Sequence, residues 1–137
     1  MPEGRYNAGM PICLRVVDSI TELQPRDQGC LAVSGSHGGR SSARYALVAR
    51  PLLSVFNDAG GGRDAAGIAA LGLLQAQHLA ACTVAHHSAR IGEARSTLDH
   101  GVLSHVNPAA QDLGLRQGQP LQAALRLLWP HHQETSA

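Results

Sequence analysis

Aromatic side chains are nearly missing from this chain: Phe, Trp and Tyr make up 3% of it, although 44% of its residues are hydrophobic. Aromatic residues bury the most area per side chain and dominate many interfaces. The core must therefore be built from Leu, Ala, Val and Ile, and so aliphatic a domain is expected to gain stability by forming a homo-oligomer. A dominant charge sign is also missing. Eleven Lys and Arg stand against ten Asp and Glu, the net charge is +1, and the basic residues form no run or stripe. That excludes the electrostatic footprint of a nucleic-acid binder. No apolar run approaches the roughly 18 residues of a membrane span, and the opening Met-Pro-Glu-Gly-Arg-Tyr-Asn has no apolar signal region. Neither nucleic acid nor membrane is an expected partner. The three cysteines (Cys13, Cys30 and Cys82) have no Cys-x-x-Cys spacing. Each lies in an apolar run, where a thiol behaves as a small buried hydrophobe. This reading implies no disulfide, and with it a reducing, cytoplasmic compartment.

What is present is an alternation. A chain of 137 residues has the size of one domain, read here as residues 1–137 with loose ends at 1–10 and 130–137. Strands are expected over 11–17, 30–33, 52–56, 79–85 and 102–106. Between them, 40–50 reads as a helix stopped by Pro51, and 64–77 as a helix capped by Asp64. Inside the latter, Ile68, Leu71 and Leu74 form a buried stripe, and Gly67 and Gly72 suggest close packing on the sheet. Ser19 and Glu22 have capping-box spacing, and Asn107-Pro108 starts a further helix. A last amphipathic helix spans 120–128, burying Leu121, Ala124, Leu125 and Leu128. Strand and helix in regular alternation predict right-handed crossovers and a parallel sheet. The expected fold is a small three-layer α/β/α domain with a mostly parallel four- or five-stranded sheet.

Three segments share one grammar, an apolar run followed by small and polar residues and then a helix start. They are Cys30–Gly39, Leu52–Gly62 and Leu79–Arg90. If the apolar runs are parallel strands, the polar tails emerge together at the carboxyl edge, where ligands bind in open α/β sheets. Ser34-Gly-Ser-His-Gly-Gly39 is the most specific of them. A glycine-rich turn into a helix aims N–H groups at one point, and Ser34, Gly35, Gly38 and Gly39 are expected to cradle an anion. The segment is neither a Walker A loop nor a GxGxxG fingerprint. It resembles the small-x-Ser-x-Gly nucleophile elbow of α/β-hydrolases, which implies Ser36 as an exposed nucleophile with Ser34 in place of the first glycine. The chain is far shorter than that family, so only the geometry is carried over.

Asn57 and Asp58 end the next strand, with Asp58 as a general base, a partner orienting His37, or a metal ligand. An Asx turn is the alternative, and Gly61 belongs to a stretch that lets a ligand approach the backbone. His86, His87, Ser88 and Arg90 follow the fourth strand. Histidine is the acid–base residue of neutral pH, and arginine clamps carboxylate or phosphate. Only one of two successive histidines enters a given pocket. A divalent metal on His37, Asp58 and His86 or His87 is a further possibility, but no cofactor is expected. The leading functional expectation is a small-molecule enzyme acting on an anionic phosphate or carboxylate metabolite. It would be a hydrolase or a lyase/isomerase, with Ser36, His37, Asp58 and His86 as catalytic residues. The competing expectation is a non-catalytic metabolite-binding or regulatory module, completed across an oligomer interface.

Overall fold

The computed structural model describes residues 12–129; the expectations for 1–10 and 130–137 lie outside them. The strands Leu14–Val17 (β1), Leu31–His37 (β2), Leu53–Asn57 (β3), Ala80–Val84 (β4) and Leu103–Val106 (β5) form one sheet in that order. β1 to β4 run parallel, and β5 joins β4 antiparallel. The helices are Arg40–Ala49 (α1), Ala69–Gln75 (α2), Ala94–His100 (α3), Pro108–Asp112 (α4) and Leu121–Leu128 (α5). The expected α/β/α fold is present.

β2, β3 and β4 each feed two cores because successive side chains face opposite ways. Ala32, Phe56 and Ala81 pack with Ala43 and Ala46 of α1 and with Leu71 and Leu74 of α2. Leu31, Val33, Leu53, Val55 and Cys82 pack on the other face with Leu98 of α3 and with Leu121, Ala124 and Leu125 of α5. Burial on both faces is what makes these strands read as apolar runs rather than as an alternation. Leu121, Ala124, Leu125 and Leu128 of α5 are buried, as its amphipathic pattern predicts. The capping box at Ser19 and Glu22 and the Asn107 cap on the Ala110 N–H are both formed.

Several expectations are corrected. β2 extends to His37, so Ser34–His37 is strand and not loop. Ser34 explains the extension: its Oγ donates to Val55 O across the strand pair at 2.7 Å, so a polar residue continues a buried strand. Residues 63–68 form a 3-10 segment in which Asp64 caps nothing and itself adopts a left-handed conformation, and α2 starts only at Ala69. Gly67 does sit against Asp58, whose carbonyl leaves no room for a Cβ, whereas Gly72 meets nothing within 4 Å. Cys13 and Cys30 form a disulfide, against the expectation of three free thiols. β1 and β2 pair Leu14 with Leu31, which sets the preceding residues side by side. The pair removes the cysteine argument for a reducing compartment. Cys82 alone fits the thiol reading, since burial pushes it up to about 12. No helix among the described residues is long and apolar enough to cross a membrane.

Connections decide where the sheet opens. The segments after β1, β2 and β3 pack on the α1/α2 face, whereas the segment after β4 carries α3 to the opposite face, against β1 and β2. The strand order never reverses, but the connecting layer does change between β3 and β4. Chains leaving neighbouring strands in opposite directions part and leave a crevice at their carboxyl ends.

Candidate active site

A cleft of about 550 Å³ lies at that parting, lined by Asn57 at the end of β3 and Ala59 beyond it, residues 86–91 after β4, and Ser96 and His100 of α3. Asn57 builds its floor. Its side chain is fully buried, accepts from Ala59 N–H at 2.8 Å and donates to Ala89 O at 3.1 Å, tying the β3 end to the β4 loop. Ser88 is equally committed, donating to Ala85 O at 2.7 Å and accepting from Val102 N–H at 3.0 Å. Ser96 accepts the Arg90 N–H at 2.9 Å and so fixes the backbone from which the Arg90 guanidinium projects. The Arg90 side chain is 81% exposed, and its guanidinium reaches Glu93 only at 3.9 Å. His86 and His87 meet edge to face with ring centres 5.4 Å apart. Both line the cleft, against the expectation that only one could, because the strand has already ended at Val84. None of the described residues lining the cleft is acidic.

Behind His86 stands Asp58, with 8% of its side chain exposed against 57% for His86. Its Oδ1 accepts from Gly60 N–H at 2.8 Å and from His86 N–H at 3.1 Å, and lies 3.5 Å from His86 Nδ1. Burial pushes this carboxyl's pKa up. The Gly60 N–H, the Ser104 hydroxyl, the His86 N–H and the His86 ring charge outweigh that push, and the net shift is downward. Asp58 is thus an ionised carboxylate at the Nδ1 side of a histidine. That placement favours a proton on Nδ1 and directs Nε2 to act as acceptor. The Asx turn expected as the alternative is also formed, so Asp58 serves the turn and the histidine together.

The end of β2 is organised differently. Gly35 N–H donates to Asp18 O at 3.2 Å, Gly38 N–H to Asn57 O at 3.0 Å, and Gly39 N–H to His37 Nδ1 at 3.0 Å. Ser36 Oγ accepts from Ile20 N–H at 2.9 Å and closes the turn after β1. A Cβ on Gly35 would stand 2.5 Å from Glu93 N, and one on Gly38 would stand 2.6 Å from Gly67 O. These glycines admit the loops before α3 and α2. His37 pairs with Asn57 in the sheet register, yet neither His37 nor Ser36 lines the cleft. Gly61 also lies outside it, holding the loop through bonds to Asp58 O and from Gly67 N–H.

Sequence reasoning thus named Asp58, His86, His87 and Arg90, which the fold brings together, and missed His100, Ser96 and Ile91, which α3 supplies. No group of three His, Cys, Asp or Glu among the described residues is arranged to hold a metal ion. Comparison with protein-family models, curated proteins and solved structures finds no match to this chain.

Proposed function

We propose that this chain is a small-molecule enzyme whose cleft between the β3 and β4 ends takes an anionic phosphate or carboxylate metabolite. In this reading His86 moves a proton and Asp58 orients it, while Arg90 and His87 hold the anion. The observation that carries the reading is a buried, ionised carboxylate 3.5 Å from Nδ1 of a histidine that lines a roomy cleft. A carboxylate held there stabilises the imidazolium formed when Nε2 accepts a proton. The arginine and the absence of acidic lining residues suit a negatively charged substrate.

The serines bear on the type of reaction. Ser88 is occupied on both its donor and acceptor sides, and Ser36 lies outside the cleft. His86 would therefore act on the substrate or on a water molecule, as in a lyase, an isomerase or a water-activating hydrolase, rather than on a serine nucleophile. The small aliphatic core and the exposed Tyr45 and Val48 of α1 support self-association as part of the same reading.

Screening phosphorylated and carboxylated metabolites for turnover by the wild-type protein and His86→Gln tests the proposal. Turnover by the wild type that falls by about 10²–10⁴ in the variant supports it, that being the usual contribution of a general acid–base residue. Ligands bound equally by both proteins and converted by neither would instead make the chain a binding or regulatory module.

A further inference from the structure

Ile91 lines the cleft, is 52% exposed and belongs to neither core. It holds the second position of a β-turn from Arg90 to Glu93. Glu93 N–H closes that turn on Arg90 O at 3.2 Å, and Gly92 stands left-handed in third place at φ 83°. Such a turn needs glycine or its like in third place and favours proline in second, so nothing in it calls for isoleucine. The turn is tied down on both sides: Arg90 N–H donates to Ser96 Oγ at 2.9 Å, and Gly92 N–H to Gly35 O at 2.6 Å. A large apolar side chain is thus presented at the cleft from a fixed backbone, one residue from the Arg90 guanidinium. From the β3 loop, Ala59 lines the same cleft. It is exposed and left-handed at φ 54°, a conformation that suits the glycines at the next three positions far better.

The polar lining points the same way. Asn57 is buried and bonded to Ala59 N–H and Ala89 O, Ser88 is bonded on both sides, and Ser96 Oγ already accepts Arg90 N–H. No described lining residue is acidic. A ligand rich in hydroxyl groups therefore finds few side-chain acceptors, whereas an anionic head finds Arg90 and two histidines. The cleft volume of about 550 Å³ is that of a pocket for a whole organic molecule, beyond what an inorganic anion fills.

We propose that the ligand is an amphipathic anion: its phosphate or carboxylate head meets Arg90 and His87, and an aliphatic tail covers Ile91 and Ala59. Polyol phosphates and sugar acids are then poor ligands. This assignment rests on the reading of the cleft as an anion site. NMR titration of the wild-type protein with n-butyl phosphate against glycerol phosphate, and with hexanoate against gluconate, tests it by binding alone. For the head group that binds, the alkyl member should bind about tenfold more tightly than the polyol, the order expected for covering about two methylene groups. It should also shift the Ile91 methyl signals more than inorganic phosphate does. Ile91→Ser should lose most of that preference, and Ile91→Leu should keep it. Equal affinities within both pairs, or an alkyl preference undiminished in folded Ile91→Ser, overturns the proposal. Should that variant fail to fold, Ile91 methyl signals unmoved by the alkyl ligands overturn it instead. Shifts at His86, His87 and Arg90 without an alkyl preference refute the apolar tail alone. No shift there with any of these anions or with inorganic phosphate refutes the anion site and the tail together.

Discussion

The end of β2 and the ends of β3 and β4 carry similar residues (serine, glycine and histidine before a helix), yet the structure uses them in opposite ways. After β2, the glycine N–H groups and Ser36 Oγ are bonded to the protein itself, and the missing Cβ atoms make room for neighbouring loops. After β3 and β4, backbone N–H groups fix Asp58 while His86, His87 and Arg90 keep their polar ends at a cleft. A glycine-rich turn at the carboxyl edge is therefore not by itself a binding site. What separates the two regions is the change of connecting layer between β3 and β4, beside which the cleft lies.

The largest expected difference between the regions is in turnover. His86→Gln should reduce turnover of the metabolite found by screening about 10²–10⁴-fold, whereas Ser36→Ala should leave it within about twofold while lowering the melting temperature. A large loss in Ser36→Ala would return the site to β2. Next in size is the disulfide: Cys13→Ser should lower stability by about 3 kcal/mol in chemical denaturation, the order expected for a loop of this length. The glycines sharpen the contrast further. Gly38→Ala drives a Cβ toward Gly67 O and should cost about 1–3 kcal/mol. Gly72→Ala in α2 meets nothing and should gain about 0.5–1 kcal/mol. Thermal unfolding of the two variants side by side checks both signs.

The smallest effect concerns acid. Asp58 is held below the ordinary carboxylate value, so its ionised form contributes stability above pH about 4 and loses it as pH falls through the folded value. Asp58→Asn should therefore be less stable than wild type at neutral pH and show a flatter loss on acidification, as denaturant melts across the acid range would reveal.

The parts legible in the sequence are those with local causes. Buried strands read as apolar runs, Asn107-Pro108 reads as a helix start, and α5 reads from its stripe. What escaped reading has long-range causes. α3 lacks a cap from its own flank, because Asp18 accepts the Ala94 N–H at 2.9 Å from 76 residues away. Missing that helix meant missing His100 and Ser96. The extension of β2 depends on Ser34 finding Val55 O, and the irregular β4/β5 register at Ser104 is one that no periodicity announces. Cys13 and Cys30 are 17 residues apart and meet only because β1 and β2 pair in the register found here. Asp58 and His86 were identifiable as residues, but their contact follows from the β3/β4 register, which places Asp58 N–H on Val84 O at 2.9 Å.

The most direct test of the account is an amide and histidine-ring NMR titration of the wild-type protein with inorganic phosphate. The account predicts shifts centred on His86, His87 and Arg90, with the amides of Gly35, Gly38 and Gly39 unmoved. Shifts centred on Gly38, Gly39 and Arg40 would contradict it and make the end of β2 the anion site.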